Sequence, residues 1–174
     1  MKGKLVPDDF VVPEKLETDK LRLRMLTTDD VMKDYEAVMT SIEHLQSLCD
    51  PAASSIWPKK TMTIEEDLRD LERHQSEFLT RKAFAYTVMS LDESVCLGCV
   101  YIDPSRVKEY DAEVYLWARQ SEFEKGFEDY LYQVVREWIK SSWPFQRVVF
   151  PGIGTSWEEW GQIVARYKAE TPKA

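Results

Sequence analysis

The sequence predicts one mixed α/β domain over residues 1–174, with a mostly antiparallel sheet flanked by helices. Apolar residues alternate with polar ones in several short runs, which is typical of half-buried strands. Longer segments carry apolar residues at intervals of three and four, which is typical of amphipathic helices. The sequence contains no internal repeat and no obvious linker, and its 174 residues are enough for one hydrophobic core.

The first predicted elements are one strand and two helices. Residues 20–25 alternate between charged and apolar side chains and predict a strand with one buried face. Thr28 precedes two aspartates, so we expect it to cap a helix whose apolar spacing continues over residues 31–45. Thr63 and Glu66 have the spacing of a capping box and predict the start of the second helix.

Three strand-like runs follow in the middle of the chain. Residues 83–89 and 93–104 flank the turn sequence SLDES and predict a β-hairpin. Residues 110–119 form a third run after a proline-containing loop. Three neighbouring strands of this kind predict an antiparallel meander.

A Cys-x-x-Cys pair lies in the second of these runs. Side chains of a strand alternate between its two faces, so Cys96 and Cys99 are expected to point to opposite sides. Zinc would also need two further ligands, and Cys49, His44 and His74 have no finger-like spacing. We therefore expect structural thiols and no metal site.

The last predicted elements are a helix, a short strand and a final helix. One apolar face recurs along the first of these helices, at Phe127, Tyr130, Leu131, Val134 and Trp138. The strand QRVVF ends at Pro151, and Ser156 is the expected cap of the final helix. The predicted order is therefore β-α-α-β-β-β-α-β-α.

Composition and charge exclude several functional classes. A net charge of −8 argues against nucleic-acid binding, which depends on clustered Lys and Arg. No stretch approaches the ~20 apolar residues of a membrane span, and no signal-peptide core is present. Three cysteines do not suggest a secreted disulfide scaffold. We expect a cytoplasmic protein with reduced thiols and with no nucleic-acid or membrane partner.

Three stretches resemble the GNAT superfamily of acetyl-CoA-dependent N-acetyltransferases. LETDKLRLRMLTTDDV looks like the opening strand and helix start of that family. FAYTVMSLDESVCLGCVYIDP is similar to its second hairpin, in which a Leu-Gly pair begins the outgoing strand. AEVYLWARQSEFEKGFEDYLYQVVREWI looks like its cofactor-binding strand, loop and helix. The resemblance covers residues 16–169 and implies a GNAT-like fold.

The resemblance also implies acetyl-CoA as the cofactor. In the family, backbone groups at the end of one strand face the pantetheine arm, and amides at a helix N-terminus hold the diphosphate. The corresponding positions here are Trp117, Ala118 and Arg119 for the arm, and Lys125, Gly126 and Phe127 for the diphosphate.

Two positions depart from the family's Arg/Gln-x-x-Gly-x-Gly/Ala loop. Phe123 replaces the Arg or Gln, and Glu128 stands where the second Gly or Ala belongs. Acids in a first helical turn stabilise the helix, and the same charges would repel CoA. A working diphosphate site and an ordinary acidic helix start therefore both remain open.

The resemblance implies two catalytic residues. Glu113 corresponds to the family's acid on the cofactor-binding strand, which acts as a base towards the amine, and Tyr167 resembles its late-helix proton donor. Most strand carboxylates are exposed, so we expect Glu113 to be solvated unless it faces inward. The alternative for Tyr167 is a packing or surface aromatic with no catalytic role.

The predicted function is acetyl transfer from acetyl-CoA to a primary amine of a small molecule or peptide. The alternative is a noncatalytic GNAT-like protein that binds another ligand or partner and has lost acetyl-CoA binding. The family's last two strands are missing, because only KAETPKA follows Tyr167. The acceptor groove would then be open, covered by an N-terminal extension over residues 1–17, or completed by a second subunit in a homodimer.

Overall fold

A six-stranded sheet organises the molecule in a computed structural model that describes residues 3–171. The strands lie in chain order and are antiparallel, except for the last pair, which is parallel. They are β1 (Lys15–Glu17), β2 (Arg22–Met25), β3 (Phe84–Met89), β4 (Cys96–Pro104), β5 (Ala112–Ala118) and β6 (Val148–Val149). The predicted mixed, mostly antiparallel sheet is confirmed, with β1 as an additional edge strand inside the expected N-terminal extension.

Within residues 3–171, six α-helices flank the sheet. They are α1 (Val31–Met39), α2 (Ile42–Leu48), α3 (Ile64–Leu79), α4 (Gln120–Phe123), α5 (Phe127–Ser142) and α6 (Trp157–Glu170). Helix α5 packs on one face through Leu131, Val135 and Ile139, and α1 packs on the other through Ala37 and Val38. None of the helices described over residues 3–171 combines the length and apolarity needed to cross a bilayer.

The capping predictions give one confirmation and one correction. Thr63 and Glu66 form the expected reciprocal box at the start of α3. Thr28, however, lies inside a 3-10 turn (Thr28–Asp30) that leads into α1. The cap of that turn is Thr27, whose amide donates to Asp30 Oδ2 at 3.0 Å. The prediction was one residue late. Thr27 and Thr28 are both followed by an aspartate within three positions, so the sequence pattern fits either threonine as the cap.

The first helical segment is also interrupted, so that the predicted helix over residues 31–45 becomes α1 and α2. The hydroxyl of Thr40 donates to the Glu36 carbonyl at 2.8 Å, and that of Ser41 donates to the Ala37 carbonyl at 2.7 Å. Such side-chain bonds compete with the backbone ladder and favour a helix end. Apolar spacing alone does not reveal this break.

A β-bulge in β4 changes which face its cysteines occupy. Cys96 pairs with Met89 and Gly98 pairs with Val88, so Leu97 is an extra residue that has no partner on β3. The bulge shifts the alternation by one, and both Cys96 and Cys99 pack in the cluster with α1. The prediction that the two thiols point to opposite sides is therefore wrong.

Strands β5 and β6 pair only briefly and then separate. Their register contains two pairs, Ala112 with Val148 and Glu113 with Val149. β5 continues to Ala118, whereas the chain after β6 turns away at Pro151. A wedge therefore opens between the second half of β5 and the segment that leads into α6.

Gly98 is required by the close approach of β4 and β5. A Cβ atom at this position would lie 1.9 Å from the carbonyl oxygen of Trp117. We predict that Gly98→Ala lowers the free energy of unfolding by about 1–3 kcal/mol, because overpacking of a tight contact forces the backbone apart. Urea unfolding measures the change.

Gly161→Ala is the matched control for this substitution. Nothing lies within 4 Å of a Cβ added at Gly161 in α6. Alanine should therefore stabilise that helix by about 0.5–1 kcal/mol. Equal effects of the two substitutions would contradict the packing described for Gly98.

Candidate active site

An acidic cavity of about 720 Å³ lies between α3 and the middle of the sheet. Six carboxyl side chains and three permanently charged cations contribute to its wall. The acids are Asp34, Asp67, Asp70, Glu77, Asp103 and Glu113, and the cations are Arg73, Lys82 and Arg106. We refer to it as the acidic cavity. Burial raises the pKa of Asp34 to about 8 and that of Asp67 to about 7, so the other four acids carry most of the negative charge. Their small excess over the three cations favours a cationic ligand.

Glu113 is buried at the wall of the acidic cavity, with 2% of its surface exposed. Its carboxylate accepts hydrogen bonds from the Arg106 amide at 2.6 Å and from Arg106 Nε at 3.1 Å. The Tyr115 hydroxyl donates to its second oxygen. The expectation that Glu113 is solvated is therefore wrong, because an arginine from the β4–β5 loop compensates its burial.

Tyr115 and Tyr101 lie at the border of two cavities. Both tyrosines, with Trp57, line the acidic cavity and also a second, more apolar cavity of about 270 Å³. Desolvation, followed by the neighbouring Glu113 carboxylate, raises the pKa of Tyr115 above its usual value. Tyr115 is therefore a hydrogen-bond donor to Glu113 rather than a ready source of protons.

The second cavity fills the wedge between β5 and the segment before α6. Its apolar wall includes Leu45 and Leu48 of α2, Trp117 of β5, and Ile153 and Trp157 beyond β6. We refer to it as the wedge cavity. Trp117 therefore lies where the sequence predicted contact with a pantetheine arm, and a slender, mostly apolar chain suits this wall.

Glu128 lies in the first turn of α5, one residue after positions 125–127, at which a diphosphate was expected. Its Oε2 accepts a hydrogen bond from the Ala118 amide at 2.9 Å and another from His44 Nε2 at 2.7 Å. The ring of Phe123 stacks on His44 with centroids 3.8 Å apart. The chain thus places its own carboxylate at the end of β5, in the first turn of α5.

Only one part of a CoA molecule suits this arrangement. The wedge cavity suits a pantetheine arm. The diphosphate end does not fit while the Glu128 carboxylate lies in the first turn of α5, since it would repel a second anion beside residues 125–127. Glu128 and His44 are also both buried, so neither side chain is simply turned outward.

The other positions assigned to the cofactor have partners of their own. Arg119 donates to Glu36 at 2.6 Å and to the Cys96 carbonyl at 3.3 Å. Lys125 is exposed and pairs with Glu122 at 2.8 Å. Gly126 adopts a positive φ of 79° before α5, where glycine is favoured, and Phe127 packs against the core. Their roles towards a cofactor stay predictions.

Tyr167 lies apart from Glu113. It packs in a cluster with Val107, Val149 and Trp160, and it lines a separate small cavity of about 80 Å³ beside Arg147 and Arg166. The structure does not bring this tyrosine to the wall of the acidic cavity or of the wedge cavity. Its proposed role as a proton donor therefore gains no geometric support.

The N-terminal segment does not cover the acidic cavity. Val6 is buried in the cluster with α5, and the ring of Phe10 lies 5.7 Å from that of Trp143. The Leu5 amide donates to the Arg81 carbonyl at 2.7 Å. Of the part of the expected extension that the structure describes, residues 3–17, none lines the acidic cavity.

The sequence matches no protein-family model and no curated protein, whereas solved structures match its fold. A putative ribosomal-protein-serine acetyltransferase from Vibrio cholerae aligns with a TM-score of 0.61 and 15% identity, over 82% of this chain and 74% of that one. A ribosomal-protein-alanine acetyltransferase from Vibrio fischeri aligns with a TM-score of 0.61 and 15% identity, over 88% and 81%.

A GNAT-family acetyltransferase from Bacillus anthracis aligns with a TM-score of 0.55 and 14% identity, over 77% of this chain and 70% of that one. The chain has the GNAT fold. The resemblance drawn from the three sequence stretches is thereby confirmed at the level of fold. Within this GNAT fold, β5 is the splayed strand and α5 is the helix that follows it.

His44 and Arg106 are functional-site residues that sequence reasoning missed. His44 is separated from Glu128 by 84 positions, and no local pattern connects them. Arg106 lies in a loop that carries no periodic signal. The one available hint was the acid at position 128, where the family's loop carries Gly or Ala.

His74 supplies a pH-dependent test of the acidic cavity. Burial lowers its pKa to about 4, and the neighbouring Arg73 adds to this shift. These effects outweigh the Glu77 carboxylate, which lies 3.7 Å from Nδ1. A folded-state pKa below the unfolded value of about 6.5 contributes stability that is present above pH ~6.5 and is lost towards pH ~4.

We predict that His74→Phe makes the decline in unfolding free energy between pH ~6.5 and ~4 shallower, because the proton taken up on unfolding disappears. Urea unfolding over a pH series measures the slope. The ring contact with Tyr101 is retained by phenylalanine. An unchanged slope would show that His74 titrates normally in the folded protein.

Proposed function

We propose that the protein is a GNAT-type N-acyltransferase that acts on a primary amine of a small molecule or peptide. One observation carries the proposal: the acidic cavity and the wedge cavity adjoin at Trp57, Tyr101 and Tyr115, with Glu113 beside them. Two adjoining cavities of opposite character suit a cationic acceptor and a slender apolar donor. The structural neighbours described as acetyltransferases for protein serine or alanine support the same class of acceptor.

The acidic cavity provides the recognition of the amine. An alkylamine has a pKa of about 10.4, so it arrives as an ammonium ion and is attracted by the carboxyl groups of the wall. It must lose a proton before it can attack an acyl group. Glu113 is the proposed acceptor of that proton, after exchange of one of its contacts with Arg106 or Tyr115. No step is assigned to Tyr167.

The wedge cavity provides the place for the acyl donor. Acetyl-CoA, when bound, would supply the acetyl group, with Trp117 in contact with its pantetheine arm. Ala118 and the start of α5 would face its charged end only after the Glu128 side chain leaves the Ala118 amide. The donor is therefore proposed to compete with Glu128.

A second candidate function is noncatalytic binding of an amine ligand or of a partner. The observation that favours it is the Glu128 contact with Ala118 and His44. The Glu128 carboxylate supplies a negative charge at this site, so the fold does not need the diphosphate of a bound cofactor there. The acidic cavity is shared by both candidates. Acetyl-CoA binding and acetyl transfer distinguish them.

We predict that Glu128→Ala increases acetyl-CoA affinity at least tenfold, because it removes a like charge and frees the Ala118 amide. Isothermal titration calorimetry measures the affinity of the wild type and the variant. Glu124→Ala is the matched control, since Glu124 is exposed and contacts only Gln120 among the hydrogen bonds described. No gain for Glu128→Ala, or an equal gain for Glu124→Ala, would mean that the diphosphate site is wrongly placed.

We predict that the wild type transfers acetyl groups to a primary amine and that Glu113→Gln lowers kcat by about 10²–10⁴-fold through loss of the base. The assay follows product formation over a panel of small amines and N-terminal peptides. Tyr167→Phe should leave the rate unchanged, because that hydroxyl lies in a separate cavity. If neither wild type nor Glu128→Ala forms product at millimolar acetyl-CoA, the noncatalytic candidate replaces the enzyme.

A further inference from the structure

Three buried side chains with metal-ligand atoms meet between α1 and β4. The Sγ atoms of Cys96 and Cys99 and a carboxylate oxygen of Asp34 all lie within 4.8 Å of one another. The bulge at Leu97 is the cause, because it turns both thiols to the face that α1 covers. A Cys-x-x-Cys spacing that would separate two thiols on a regular strand therefore brings them together here.

The separation of Cys99 and Asp34 is close to that of neighbouring ligands in a tetrahedral zinc site. Zinc binds sulfur at about 2.3 Å and carboxylate oxygen at about 2.0–2.2 Å, so tetrahedral neighbours are separated by about 3.5–3.7 Å. Cys99 Sγ lies 3.3 Å from Asp34 Oδ1. The Thr87 hydroxyl lies 3.7 Å from Cys96 Sγ and is a suitable outer partner for that sulfur.

Asp67 gives an independent indication of a ligand. It is 99% buried, with a relative exposure of 1%, and its Oδ2 has no hydrogen-bond partner among the described residues. Its carboxyl group neighbours that of Asp34 on the wall of the acidic cavity. Hydrogen bonding within the cluster accounts for Cys99 and Asp34 but leaves this oxygen unexplained. A water on a metal ion would supply the missing donor.

An ion can reach the cluster from the acidic cavity. Asp34 and Asp67 both line that cavity, although most of each side chain is buried. Thiolate ligands select zinc and related soft cations over Mg²⁺ and Ca²⁺, which prefer oxygen. The two thiolate donors of the cluster therefore favour a zinc-class cation.

We propose that Asp34, Cys96 and Cys99 bind one zinc-class divalent cation, with Asp67 as a positioning residue behind Asp34. The fourth coordination position holds water and faces the Asp67 oxygen. The site needs neither Glu113 nor the wedge cavity, but it shares Asp34 and Asp67 with the wall of the acidic cavity.

Cobalt binding tests the proposal on the full-length wild-type protein. Co²⁺ added to chelator-treated protein under reducing conditions is expected to give a thiolate-to-cobalt charge-transfer band that saturates at about one equivalent, as one tetrahedral site requires. Zn²⁺ is expected to displace the cobalt and remove the band. A wild-type protein that gives no such band, or loses none of it to Zn²⁺, overturns the proposal.

Variants locate the site within the chain. Cys99→Ser is expected to abolish the charge-transfer band, whereas Cys49→Ser, the matched control outside the cluster, is expected to keep it. Asp67→Asn should weaken Co²⁺ binding about 10–100-fold while the band is retained at saturation. Circular dichroism checks that each variant is folded. A band that survives Cys99→Ser or disappears in Cys49→Ser overturns the assignment, and so does unchanged affinity in Asp67→Asn.

Discussion

The rest of the site depends on the carboxylate of Glu128, which connects the end of β5, helix α2 and the start of α5. It accepts from the Ala118 amide at the end of β5 and from His44 on α2, and it lies in the first turn of α5. Hydrogen bonds to a charged group contribute about 1.5–3 kcal/mol each. The amide at the end of a splayed strand would otherwise be a buried donor without a partner.

This interaction also explains how a GNAT fold can be retained while its anion site changes. The free amides and the helix dipole at the start of α5 attract a negative charge, whether it belongs to a ligand or to a side chain of the protein. A diphosphate supplies that charge from outside, and Glu128 supplies it from within the chain. Fold alone does not decide function. The acidic cavity and the wedge cavity carry the functional argument.

The sequence predicted the features that depend on local patterns. Alternation in residues 84–104 predicted the hairpin of β3 and β4, the Thr63–Glu66 box predicted the start of α3, and the apolar stripe predicted α5. For the site, it placed Glu113 and Trp117 on strand β5, and each lines one of the two adjoining cavities.

Features that depend on distant contacts were not predictable. The bulge at Leu97 adds one residue that the composition does not reveal, and it reverses the face of Cys96, the first residue of β4. The burial of Glu113 depends on Arg106, whose approach is set by the loop between β4 and β5. The pairing of His44 with Glu128 depends on how α2 packs on the sheet, which no local pattern encodes.

Hydrogen exchange of the Ala118 amide tests the central claim most directly. Beyond Glu113, β5 has no strand partner on its β6 side within residues 3–171, so protection of this amide depends on the Glu128 carboxylate. The account predicts that Ala118 exchanges as slowly as the paired amides of central β5 in the protein without added ligand at neutral pH. Exchange as fast as that of an exposed amide would contradict it.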